Sequence, residues 1–153
     1  MLKRIAKSSA RASGASFAIV ASKYNGRYVD AMLKAAQREL KKAGAKVRVV
    51  RVPGAFEVPV VAAKLASLES KPAAIICFGV IFQGQTSHAQ HVGWGVTHAL
   101  AQIQVQQRIP VIHGVFIFEQ EEHAKVRCLG RTHNRGTEAA HTALEMARVM
   151  RGL

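Results

Sequence analysis

Ala73-Ala74-Ile75-Ile76-Cys77-Phe78, running into Gly79-Val80-Ile81-Phe82-Gln83-Gly84-Gln85-Thr86-Ser87-His88, is the stretch that decides the fold. Six residues with no charge and no polar alternation read as a strand covered on both faces, which is the habit of a parallel sheet with helices on either side. The glycine-punctuated segment over 79–87 reads as the loop that leaves the strand's carboxyl end. Outward from this centre, short β-rich runs alternate with helical ones. Phe17–Ala21 and Val47–Val52 are predicted strands upstream, and Val111–Phe118 is predicted downstream. Between them, Tyr28–Ala43 carries Val29, Met32, Leu33, Ala36 and Leu40 at helical spacing and stops at Gly44. Phe56–Leu68 reads as a helix with Pro59 in its first turn, and His88–Gln107 as a helix before Pro110. Glu119–Arg151 reads as two helices parted near Thr132–Gly136, the second with Ala140, Leu144, Ala147 and Met150 on one side.

The chain has 153 residues, of which 49% are hydrophobic, enough for one core without a disulfide or metal staple. No apolar run approaches the roughly 18 residues of a membrane span. Two cysteines, Cys77 and Cys128, argue against a secreted disulfide framework and for the cytoplasm. The formal charge of +13 is an N-terminal property: residues 1–51 hold thirteen Lys and Arg against Asp30 and Glu39. Met1–Ser16, with Lys3, Arg4, Lys7 and Arg11 and no acid, reads as a basic mobile tail ahead of a single domain over 17–153. Charge of this kind attracts polyanions in general, but no nucleic-acid-binding module or aromatic-studded basic face accompanies it.

In an open parallel sheet, ligands sit beyond the carboxyl ends of the strands. Three such ends lead into Ser22-Lys23-Tyr24-Asn25, Pro53-Gly54-Ala55-Phe56-Glu57 and Gly79–His88, and these loops hold the residues with useful chemistry. The third lacks the lysine of a phosphate loop and the spacing of a dinucleotide fingerprint. Backbone amides at Gly84–Thr86 ahead of a helix suit an anion, while Thr86 or Ser87 equally suits a plain helix cap. His88 is read as an acid/base, since an imidazole exchanges protons near neutral pH without special tuning. His88 and His91 are three apart, but the hexapeptide Thr86–His91 contains no Cys or acid, so no metal site is expected. His98, His123 and His141 are expected at the surface or an interface. Arg127, Arg131 and Arg135 would form one positive face on a continuous helix, with Glu138 the nearest acid to orient them. A solvated face is the default for such a row, and phosphate binding by guanidinium the alternative. A Ser-His-Asp triad is excluded in practice because Asp30 is the chain's one aspartate.

Val52-Pro53-Gly54-Ala55-Phe56-Glu57-Val58-Pro59, then Gly84-Gln85-Thr86-Ser87-His88 and Asn134-Arg135-Gly136, resemble the 6,7-dimethyl-8-ribityllumazine synthase family, with the likeness spanning Phe17–Arg151. The resemblance implies an α/β, flavodoxin-like domain with four parallel strands and a condensation of 5-amino-6-ribitylamino-uracil with 3,4-dihydroxy-2-butanone 4-phosphate, without metal or organic cofactor. It implies that Tyr24 stacks on the pyrimidine, and that Ala55, Phe56, Glu57, Val80, Ile81 and Phe82 hold the heterocycle and the ribityl chain. Gly84, Gln85, Thr86 and Arg127 would take the phosphate, and His88 would shuttle protons. His113 and Arg135 would reach the pyrimidine from the neighbouring subunit of a homopentamer. A sixty-subunit icosahedral shell and an association with riboflavin synthase extend the same expectation. Gln83, Gln85, Gln90 and His91 stand where the family commonly has Arg, Glu, an acid and Tyr; His113 replaces an aromatic and Arg135 a Lys. The alternatives are a weakly active or non-catalytic paralogue serving as a flavin-related binding shell, and a nucleic-acid binder acting through the basic tail.

Overall fold

In the computed structural model, which describes residues 10–153, four strands form one all-parallel sheet in the order β2-β1-β3-β4. The strands are β1 Ser16–Ser22, β2 Lys46–Val52, β3 Ala74–Phe82 and β4 Val111–Phe118. The helices are α1 Gly26–Lys42, α2 Val58–Ala66, α3 His88–Gln107, α4 Glu121–Ala124 and α5 Arg135–Arg151. Strands β1 and β3 lie at the centre and are buried over nearly their whole length, as their unbroken apolar runs require. Side chains alternate across the sheet. Phe17, Ile19, Ala21, Ile76 and Phe78 meet α1 and α5 on one face. Ala18, Val20, Ile75 and Cys77 meet α2 and α3 on the other, with Val58, Ala62, Val96 and Leu100. The α/β layering expected from the sequence is therefore the observed fold.

The departures are local. Strand β3 continues four residues beyond Phe78, so Val80–Phe82 are strand and not loop; Phe82 pairs with Phe118 at the far end of the β3–β4 ladder. The helix expected over Phe56–Leu68 is divided, with a single 3-10 turn at Ala55–Glu57 leading into α2. After β4, the short α4 passes into a π turn at Lys125–Leu129, and non-helical chain follows to Asn134. Arg127, Arg131 and Arg135 thus lie on different segments and share no helical face. Asn134 caps α5 by accepting from the Gly136 N–H at 2.8 Å and donates through Nδ2 to the Cys128 carbonyl at 2.7 Å, which joins the π turn to the helix start. Met150, at the end of the stripe read on α5, is exposed.

His141 is not a surface residue: it is 7% exposed, with Nε2 at 3.1 Å from Oε2 of Glu39 across the α1–α5 contact. Lys42 and His141 hydrogen-bond to Glu39 and hold its carboxyl below the usual range against the opposing effect of burial. His98 and His123 are exposed as expected. Of the basic N-terminal segment, residues 1–9 lie outside the described residues. From Ala12 the chain is attached: Ala12 is buried, its N–H donates to the Ala43 carbonyl at 2.8 Å, and Gly14 N–H donates to Gly44 at 3.2 Å.

The α1–α5 crossing depends on Gly136, where a Cβ would fall on the backbone carbonyl of Met32. That carbonyl belongs to α1 and has nowhere to move without shifting the helix. Gly136→Ala is expected to destabilise the fold by about 2–3 kcal/mol, the upper range for overpacking, read as a lowered urea midpoint at unchanged m-value.

Candidate active site

The loops after β1 and β2 meet the end of β3 around a cavity of about 670 Å³, within the size range of small-molecule sites. Tyr24 and Asn25 line it from the first loop, Gly54, Ala55, Phe56 and Glu57 from the second, Val80, Ile81 and Phe82 from β3, and His88, His91 and Val92 from the first turns of α3. Tyr24 is 70% exposed and Phe56 64%, so both rings stand open at the cavity.

Each wall is fixed by identifiable bonds. Gly54 admits no side chain, because a Cβ would stand 2.8 Å from Glu57 Oε2 and 3.0 Å from the Tyr24 ring. In that space the Gly54 N–H donates to Glu57 Oε2 at 2.9 Å, so one carboxylate oxygen is tied to the backbone. Tyr24 is carried on a loop pinned to β2: Lys23 N–H donates to the Val52 carbonyl at 2.8 Å and Tyr24 N–H to Pro53 at 3.1 Å. Asn25 adopts a left-handed conformation, φ 55°, and its Nδ2 donates to the Val80 carbonyl at 2.7 Å. Arg51 anchors the same turn from below, through Nε to the Ala21 carbonyl at 3.2 Å, Nη2 to the Ser22 carbonyl at 2.9 Å and Nη1 to Asp30 at 2.6 Å.

The loop over Gln83–Ser87 borders the cavity at the start of α3. Neither reading of its hydroxyls as a simple cap describes it fully: Ser87 makes no side-chain cap bond, and Thr86 Oγ1 accepts from the His88 N–H at 3.3 Å. His88 is exposed. Gly84, Gln85 and Thr86 are exposed beside the cavity without lining it.

Three of the residues singled out in the sequence lie elsewhere. His113 and Arg135 line a second cleft of about 410 Å³ between β4 and α5, together with Glu138 and Phe116. Arg135 is ion-paired to Glu138 and stands 5.9 Å from the Phe116 ring centre. His113 Nε2 meets Thr97 Oγ1 at 2.8 Å, and partial desolvation lowers its pKa, favouring the neutral ring. Arg127 lines neither cavity; its Nη1 donates to the His123 carbonyl at 3.3 Å. Burial pushes the neighbouring Cys128 thiol up to about 11 even with the Arg135 and Arg127 guanidinium groups nearby. Among the described residues, no three His, Cys, Asp or Glu side chains gather as a metal-binding group. Sequence reasoning did not single out Asn25 or Val92 as lining residues, although Asn25 stands beside Tyr24 in a strand-end loop.

The fold and the cavity define a flavodoxin-like α/β protein whose strand-end pocket is lined by three aromatic rings, one carboxylate and two imidazoles. A family model for 6,7-dimethyl-8-ribityllumazine synthase matches residues 14–151. The 6,7-dimethyl-8-ribityllumazine synthase of Xylella fastidiosa (strain 9a5c) is 40% identical over 146 residues, 94% of each chain. That of Stenotrophomonas maltophilia (strain R551-3) is 39% identical over 142 residues, 91% of each chain. The chain belongs to the 6,7-dimethyl-8-ribityllumazine synthase family.

Arg51 is expected to govern the order of the loop that carries Tyr24. Arg51→Met keeps the stem and removes three polar contacts. With bonds to charged groups worth about 1.5–3 kcal/mol before solvent screening, a local loss of about 1–2 kcal/mol follows. Hydrogen exchange at the Lys23 and Tyr24 amides should then quicken roughly 5- to 30-fold, with the β3 amides unchanged.

Proposed function

We propose that this chain makes 6,7-dimethyl-8-ribityllumazine from 5-amino-6-ribitylaminouracil and 3,4-dihydroxy-2-butanone 4-phosphate. The observation that carries the reading is the pairing of an exposed ring, Tyr24, with a backbone-tied carboxylate, Glu57, in a cavity whose far side begins with His88. Tyr24 stacks on the pyrimidine. The free oxygen of Glu57 accepts from a ribityl hydroxyl, and the strand residues Val80, Ile81 and Phe82 hold the heterocycle in the plane of the sheet's end. Gly84, Gln85 and Thr86 receive the phosphate.

The chemistry is a series of proton transfers. The 5-amino nitrogen attacks the ketone, and loss of water gives an imine. Removal of a proton from carbon then expels phosphate and leaves an enol, which tautomerises to a ketone. The ribitylamino nitrogen attacks that carbonyl and a second water leaves, closing the ring. His88 takes and returns protons in these steps, while positioning of the two reactants supplies much of the remaining acceleration. The steps as written call on no metal or organic cofactor.

The second cleft supports a site shared between subunits. His113 and Arg135 line the second cleft, and neither they nor Arg127 line the cavity that holds His88. A ring of heterologous contacts brings one subunit's cavity against the next subunit's β4–α5 side. Trp94, Val60, Val105 and Val126 are large apolar side chains left exposed, in keeping with further burial between subunits. The assembly proposed is a homopentamer, with the sixty-subunit shell and the association with riboflavin synthase as its extensions. The cytoplasm is the proposed location: both cysteines are free and buried, and no helix among the described residues is long and apolar enough to cross a membrane.

Formation of the lumazine from the two substrates, followed by absorbance on protein of measured mass, tests the activity; no turnover would overturn it. His88→Ala is expected to slow turnover by about one to two orders of magnitude, the usual worth of general acid/base help partly replaced by water. Unchanged rates in that variant would remove His88 from the proton path.

Refolding equal amounts of His88→Ala and Arg127→Ala chains together tests the shared site. Random mixing in a ring leaves about a quarter of junctions with both residues intact, so the mixture should recover about a quarter of native activity. Mixed rings, shown by mass spectrometry, that are no more active than the mean of their parents would place both residues in one chain's site.

A further inference from the structure

We infer that Gln83 is a positioning residue that presets the phosphate loop, an inference that rests on the proposed function and extends it to a residue outside the cavity. The Gln83 side chain folds back over its own loop. Nε2 donates to the carbonyl of Gly84 at 3.1 Å and to the carbonyl of Thr86 at 2.8 Å. Both N–H bonds of the carboxamide are therefore used, each on a carbonyl of a different peptide.

The two peptides so held are Gly84–Gln85 and Thr86–Ser87. In a trans peptide the N–H points opposite to the carbonyl of the same plane, and no peptide of the described chain is cis. Drawing the Gly84 and Thr86 carbonyls onto one side chain therefore turns the N–H groups of Gln85 and Ser87 away from it. Neither of those amides has a hydrogen-bond acceptor among the described residues. The strand fixes the base of the clamp, since the Gln83 N–H itself donates to the Phe118 carbonyl at 2.9 Å at the end of the β3–β4 ladder. One further bond, from the His88 N–H to Thr86 Oγ1, ties the loop to α3.

The consequence is a loop whose two free donors are held clear of the Gln83 side chain before the ligand arrives. A loop of exposed residues otherwise samples many orientations of each peptide, and binding then carries the cost of ordering them. Gln83 removes part of that cost for the phosphate-bearing substrate alone. The carboxamide meets neither the pyrimidine nor the ribityl chain, because Gln83 does not line the cavity.

The experiment compares native protein with Gln83→Met, which keeps the shape and loses both donors, and with Gln83→Glu, which turns an acceptor toward the two carbonyls. Calorimetry with inorganic phosphate gives the affinity of the cradle, steady-state rates give the KM of each substrate, and thermal unfolding checks that the variants fold. Gln83→Met is expected to weaken inorganic phosphate about five- to tenfold and raise the KM of the phosphate-bearing substrate by a similar factor. The pyrimidine KM and kcat should stay within about twofold, the pattern of lost uniform binding, and Gln83→Glu should lose more. A Gln83→Met protein that folds and binds phosphate like the native one overturns the inference, and so does a rise in both KM values together. Native protein that turns over normally beside an unaffected variant refutes the clamp alone. Native protein that binds phosphate in a Gln83-dependent way without turnover refutes the proposed reaction and upholds the clamp.

Discussion

The register between β1 and β3 is the constraint on which the site depends. The parallel ladder matches Phe17 with Ala74 and ends with Ala21 beside Phe78, while β3 runs on to Phe82 against β4 alone. The overhang leaves Val80–Phe82 with one edge unpaired at the level where β1 has already turned. Into that gap comes the β1–α1 loop, and Asn25 closes it by donating to the Val80 carbonyl. A slip of one residue would reverse the faces of every side chain in β3. The burial of Ile76 and Phe78 on one side and Ile75 and Cys77 on the other thus also sets the faces of the overhang, with Val80 and Phe82 on the α1–α5 side and Ile81 on the α2–α3 side.

Much of this was legible in the sequence because it follows from periodicity. The central strand, the α1 stripe and the three strand-end loops are local patterns, and Tyr24, Phe56, Glu57 and His88 fell in those loops for that reason. The end of β3 was not legible. Gly79 reads as punctuation in isolation, and only the partner strand β4, pairing through Phe82 with Phe118, keeps the segment extended. His141 was misread for a similar reason: its partner Glu39 lies 102 residues away in sequence, so nothing nearby announces that the imidazole is covered. The arginine row failed because four-residue spacing implies a face only where the helix is continuous, and the π turn and the chain to Asn134 interrupt it.

The few acids are distributed with little left over. Asp30 holds Arg51, Glu39 holds Lys42 and His141, Glu138 holds Arg135, and Glu121 accepts from the Tyr28 hydroxyl. In a chain of net charge +13 this leaves Glu57 as the one carboxylate lining the main cavity, and that group is already tied to Gly54. A site so short of negative charge suits an anionic substrate and an anionic leaving group.

Helix α3 carries more than one duty along its length. His88 stands at its first turn on the main cavity, and Thr97 meets His113 of β4 further along. The nine-residue step from one to the other covers about 13.5 Å of helix. Under the shared-site reading these two residues serve different active sites of the ring, one on each flank of the subunit. The helix is then a strut common to successive sites. A tilt of α3 at one site would under that reading also displace the Thr97 hydroxyl that meets His113 at the next.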